Sequence, residues 1–150
     1  MNLGYACVNM TLAAQSEKIT TNRGMIKKTF LEKGLDYVGN LALLNVKDLQ
    51  TILEWNVKND ITFFRVSSDI FPWASHYDLD LLPQYDEIKS ILFNTGKYAK
   101  KNKLRLTFHP GPYNVLTSPK NSVVNNTIKD LKYHAQMCDL LDLSFSTFNK

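Results

Sequence analysis

The chain reads as an α/β protein built on a parallel sheet. Three features predict this: short apolar, β-branched runs recur along the chain, amphipathic helical stripes separate them, and polar residues gather where each run ends. Strand and helix in strict alternation is the order that right-handed βαβ units produce.

The runs are Leu3 to Val8, Ile61 to Val66 (ITFFRV) and Leu104 to Phe108. Each is short and almost continuously apolar, as strands buried on both faces are. Between the first two, Leu35, Val38, Leu41, Ala42, Val46, Leu49, Ile52 and Leu53 recur at three- and four-residue steps and mark one face of a helix. A shorter helix is expected over residues 21–33, closed by Gly34. Tyr85, Ile88, Ile91, Leu92, Tyr98 and Ala99 give the second stripe. Val124, Ile128, Leu131, Ala135, Cys138 and Leu141 give the third. With no fixed-period repeat and no low-complexity linker, residues 1–150 read as one domain or one portion of a domain. Three βα units suffice for a small open sheet. A (β/α)8 barrel needs about 250 residues and at least about 200, so in a barrel these units form roughly the first half.

At 150 residues and 44% hydrophobic content the chain can bury an ordinary core. Its net charge of +4, from 18 Lys and Arg against 14 Asp and Glu, is compatible with a polyanionic partner and equally with a basic surface kept for solubility. Cys7 and Cys138 lie far apart inside apolar patterns, without CxxC spacing, which suits a reducing intracellular compartment. The opening MNLGYACVNMTLAA lacks the basic start of a secretion signal, and no apolar run approaches the roughly 18 residues of a membrane helix. Phosphate loops and the HExxH and GxSxG patterns are absent, so nucleotide hydrolysis and acyl transfer have no footing.

Chemistry in α/β proteins sits at the carboxyl ends of the strands. The first run carries Tyr5 and Cys7 and leads to Asn9. The second runs into Ser67-Ser68-Asp69 and then IFPWASH, ending at His76. The third closes on His109, followed by Pro110-Gly111-Pro112-Tyr113. Imidazole is the commonest metal ligand, and ligands spread over strand ends are how barrels build metal sites. Set against that is a pair of hydrogen-bonded loop histidines. His134, in LKYHAQMC, reads as a satisfied histidine on the buried stripe. Asp69 reads as a turn cap rather than a base, and Phe71 as loop packing, while Trp73 stays open between packing and stacking. Pro110 and Pro112 stiffen the loop that presents Tyr113, which could stack on a base or fold back over the site. The run 97-KYAKKNKLR-105 sits at a helix end, where cations offset the dipole, on the face away from these loops.

The blocks LGYACVNMTL, FFRVSSDIFPWASH, LRLTFHPGPYNVLTSP and LKYHAQMCDLL together resemble, in order, the N-terminal motifs of the UV damage endonucleases. That resemblance implies a metal-dependent (β/α)8 TIM barrel, of which this chain carries the N-terminal portion. It implies cleavage of the DNA backbone immediately 5′ of a UV photoproduct. A cluster of divalent ions would activate a water, usually manganese, with zinc or magnesium as alternatives. His76 and His109 match metal ligands of the family. Tyr5 and Asn9 match residues lining the lesion pocket. Pro112 and Tyr113 match the pair that probes the duplex opposite the damage, where many members carry Gln before the aromatic; Pro112 keeps an apolar wedge but offers no side-chain hydrogen bond. The family's carboxylate ligands lie on later strands, so no catalytic residue is assigned in this half and the chain alone is expected to be inactive. The implied partners are UV-damaged duplex DNA and either the remaining half of the barrel or a second copy pairing at open sheet edges. Two other readings stand beside it: a non-catalytic damaged-DNA-binding fragment, and a barrel of sugar-isomerase type.

Overall fold

The computed structural model describes residues 3–111 and 114–143. Strands β1 (Gly4–Ala6), β2 (Phe63–Arg65) and β3 (Arg105–Thr107) form one parallel sheet in that order. Tyr5, Phe64 and Leu106 lie in register across it, flanked by the rows Gly4–Phe63–Arg105 and Ala6–Arg65–Thr107. All three strands fall inside the apolar runs of the sequence. Side chains alternate along a strand, so the middle row faces one way. Phe64 and Leu106 enter the core, and the Tyr5 ring stands edge-on to Phe64 with centroids 5.1 Å apart.

That face is covered by helices. After the single turn α1 (Met10–Ala13) comes α2 (Lys27–Lys58), then α3 (Tyr85–Lys101) and α4 (Asn121–Leu140). Val38, Ala42, Val46, Leu49, Ile52 and Leu53 of α2 are buried as their spacing predicts, against Ile88, Leu92 and Ala99 of α3. Asp86 and Glu87 in the first turn of α3 and Lys100 and Lys101 in its last complement the helix dipole. Lys100 also pairs with Asp142 at 2.6 Å, as a solvated helix end does.

The first helical stretch differs from its sequence reading. Residues 21–26 are not helical, and the helix begins at Lys27. The reason is a set of side-chain clamps: Asn45 accepts from the Arg23 amide and donates to the Arg23 carbonyl, both at 3.0 Å, and the Asp48 carboxylate accepts from the Thr20 amide at 2.8 Å. These hold the segment extended along α2. Gly34 does break the helix, with φ 63° and ψ −161°, a region essentially reserved for glycine.

The stripe on α4 is a second departure. Thr127, Tyr133, His134, Met137 and Leu140 face inward, whereas Ile128 and Leu131 remain 39% and 36% exposed. A hydrogen bond to another element fixes the rotation: the Tyr133 hydroxyl donates to the Ser68 carbonyl at 3.1 Å. An apolar stripe marks two faces when both are apolar, and polar contacts choose between them.

Candidate functional site

The loops at the carboxyl ends of the strands carry the candidate residues. Two of them hold a non-glycine residue in the left-handed region, Cys7 after β1 and Trp73 after β2, each with φ 60°. Such conformations persist where surrounding contacts enforce them. Cys7 donates its amide to the Arg65 carbonyl at 2.8 Å. The Trp73 indole donates to the Met25 carbonyl at 3.0 Å and stacks on Phe30, so the loop after β2 is pinned to the loop after β1. Trp73, half-buried, thus packs the two loops together. Phe71 is buried as expected, its ring edge-on to Tyr133.

Tyr5 and Asn9 form a hydrogen-bonded network with Asn56. The Tyr5 hydroxyl donates to Asn56 Oδ1 at 2.6 Å and accepts from Asn9 Nδ2 at 2.8 Å. Asn9 Oδ1 accepts from the Leu12 amide at 3.0 Å and caps α1. Burial raises the Tyr5 pKa above its ordinary value, against the lowering effect of the Asn9 and Asn56 hydrogen bonds. The phenol therefore stays protonated and keeps its donor role at neutral pH.

His76 ends the 3-10 turn Ala74–His76 and is exposed. Its Nδ1 lies 3.1 Å from the Ser75 hydroxyl, and Trp73 and Phe30 stand edge-on to its ring. His109 is exposed just past β3. Two clefts border these loops and share Ser75. One, of about 670 Å³, is lined by Phe30, His76, Tyr77, Lys129 and Lys132 among others. The other, of about 600 Å³, is lined by Gly111, Asn114, Thr127 and Asp130. His76 and His109 share the strand-end face, and among the described residues no hydrogen bond joins them. Pro112 and Tyr113 lie outside the described residues.

The donor types suit a divalent metal, but their number does not. Among the described residues no group of three or more His, Cys, Asp or Glu could hold an ion. Two exposed imidazoles do not make a closed site.

Two assignments shift and one residue is new. Ser67, not Asp69, caps the turn after β2: its Oγ accepts from the Asp69 amide at 3.2 Å, and the Asp69 side chain is exposed. His134 is buried as expected but only half satisfied, since its Nε2 has no hydrogen-bond partner among the described residues. Its ring stands edge-on to Phe108, next to His109, so it buttresses the end of β3. Asp130 was not singled out by sequence. Its carboxylate accepts from Asn114 Nδ2, which ties the loop after β3 to α4, and its carbonyl bonds His134 one turn on in the same helix. The only sequence signal for it was its place four residues before His134.

A parallel α/β sheet with polar side chains gathered at its carboxyl ends defines the class of proteins that act through strand-end loops. The model of the UV-endonuclease UvdE family matches residues 1–149, and the chain belongs to that family. A UV DNA damage endonuclease from Clostridium perfringens is 39% identical over 97% of this chain, which covers 33% of that protein. A UV-damage endonuclease from Schizosaccharomyces pombe is also 39% identical, over 95% of this chain and 23% of its own length. The solved structure of SacUVDE superposes with a TM-score of 0.82 and 33% identity, covering 95% of this chain and 46% of that one. The chain therefore spans less than half the length of these relatives.

Proposed function

We propose that this chain is the N-terminal portion of a UV damage endonuclease of (β/α)8 type, acting on UV-damaged duplex DNA in a reducing intracellular compartment. One observation carries the reading: the family match runs over residues 1–149 while His76 and His109 both stand at the carboxyl end of the sheet. In this reading the two histidines are ligands to a divalent ion, Mn²⁺ before Zn²⁺ or Mg²⁺, whose remaining ligands come from outside the described residues. Bound there, the ion would supply an activated water for phosphodiester cleavage. This chain's own residues do the rest. Trp73 and Phe30 fix the His76 ring, His134 supports the strand that ends at His109, and the Tyr5–Asn9–Asn56 network holds the first loop in shape. Pro112 and Tyr113 serve as the wedge against the lesion. No helix among the described residues is long and apolar enough to cross a membrane.

The incomplete donor set favours a second reading, in which the chain alone binds damaged DNA without cutting it. Family membership leaves the sugar-isomerase reading without support. Fluorescence anisotropy with a duplex carrying one photoproduct and its undamaged twin tests the binding. The expected result is tighter binding to the damaged duplex, with Tyr113→Ala removing the preference while the salt dependence stays nearly unchanged, because phosphate contacts set that slope. Equal binding of wild type to both duplexes would overturn it.

A further inference from the structure

The loop that leaves β3 is tied down by polar contacts. Val115 and Leu116 stay 42% and 57% exposed, so burial of apolar surface does not fix its position. A hollow of about 600 Å³ opens between the loop and α4, lined by Gly111, Asn114, Val115, Thr127 and Asp130 among others. Two hydrogen bonds cross from the loop to the helix. Asn114 Nδ2 donates to the Asp130 carboxylate, and the Val115 amide donates to Thr127 Oγ1 at 2.9 Å.

The same asparagine closes the loop on itself. Its Nδ2 also donates to the Gly111 carbonyl at 3.1 Å, and its backbone amide donates to that oxygen at 3.3 Å. An amide donating to the carbonyl three residues back closes a turn, and proline at the second position is what such turns favour. Pro112 and Tyr113 are the two residues between these tied ends. One side chain thus joins the end of the segment to its start and, through Asp130, to α4. Asp130 suits the role of anchor. Its Oδ2 lies 3.6 Å from His134 Nδ1, and among the described residues no lysine or arginine pairs with it. A carboxylate is a stronger acceptor than a neutral group, and here that strength is directed at Asn114.

We propose that Asn114 and Asp130 are positioning residues that set the discrimination between damaged and undamaged duplex rather than the overall affinity for DNA. The proposal rests on Pro112 and Tyr113 acting as the wedge. Driving a side chain between stacked bases costs unstacking, and a loop that must also be ordered at that moment adds to the cost. Tied ends leave less to order when the wedge enters. The gain arises only at the lesion, because the phosphate contacts that govern non-specific binding do not depend on the wedge. Electrostatics alone makes the opposite prediction: deleting a negative charge near a polyanion tightens binding to both duplexes.

The test is fluorescence anisotropy of the 150-residue chain with a photoproduct duplex and its undamaged twin, paired with amide exchange of the free protein. In Asp130→Ala the preference for the damaged duplex is expected to fall about tenfold, the worth of one charge-assisted hydrogen bond. Affinity for the undamaged duplex should hold or rise slightly. Asp130→Asn retains an acceptor for Asn114 and should keep most of the preference, whereas Asn114→Ala should lose it as Asp130→Ala does. In the free protein the Val115 amide should exchange faster in Asp130→Ala but not in Asp130→Asn. Circular dichroism and thermal unfolding of the same variants show whether the rest of the fold is intact. A preference that survives Asp130→Ala, an equal loss in Asp130→Asn, or a Val115 amide indifferent to Asp130→Ala would overturn the proposal and leave the wedge itself standing. A wild type that binds both duplexes equally, or neither, would overturn the wedge and the proposal with it.

Discussion

The hydroxyl of Tyr5 is shared between a helix and a loop, donating to Asn56 and accepting from Asn9. Removing it strips Asn56 Oδ1 of its partner, and Asn56 Nδ2 already lacks one among the described residues. Tyr5→Phe is therefore expected to cost about 1–3 kcal/mol, the cost of leaving a buried polar group unmet. Urea unfolding measures it, and Tyr5→Phe with Asn56→Leu should recover part of the loss. The same burial gives a pH signature. Burial raises the pKa of Tyr5, Tyr77 and Tyr133. The folded phenols thus hold their protons where the unfolded ones release them. Stability from this source is complete below the ordinary phenol pKa of about 10 and falls as pH rises above it. Urea midpoints should be flat with respect to these groups up to pH 9 and decline from pH 10 upward. Tyr5 and Asn9 were legible from their place at the end of the first strand and from the family motif. Their partner Asn56 was not, because it lies 51 residues from Tyr5 inside an apolar helical stripe.

At the level of elements, close approaches between helices discriminate among glycines that look alike in sequence. A Cβ on Gly96 of α3 would meet the Leu141 backbone carbonyl, whereas one on Gly39 of α2 would meet only the end of the Gln84 side chain. Backbone cannot yield and a flexible amide can. Gly96→Ala should destabilise by about 1–3 kcal/mol, and Gly39→Ala should be near neutral, since the helix propensity it gains is about 1 kcal/mol. Thermal unfolding of the two variants side by side checks the contrast. The strands and the break at Gly34 were legible because period and turn chemistry act locally. The start of α2 was not, since Asn45 and Asp48 act from 22 and 28 residues away. The orientation of α4 failed for a related reason: periodicity finds an apolar stripe but not the Tyr133 hydrogen bond to the Ser68 carbonyl, 65 residues away, that turns a different face inward.

At the scale of the whole molecule, helices cover one face of the sheet and, among the described residues, leave the other exposed. Phe64 and Leu106 are buried on one side, while Gly4, Ala6 and Arg105 stand exposed on the other. The site shows the same partition, with two histidines at the strand ends and no third acidic, cysteine or histidine ligand grouped with them among the described residues. The most direct measurement is nicking of UV-irradiated supercoiled plasmid in Mn²⁺ by the 150-residue chain, beside its His109→Ala variant. If this portion carries part of a metal site and not the whole, neither protein should nick above background. Nicking by the wild type that disappears in His109→Ala would contradict this and show that these residues assemble a working site by themselves.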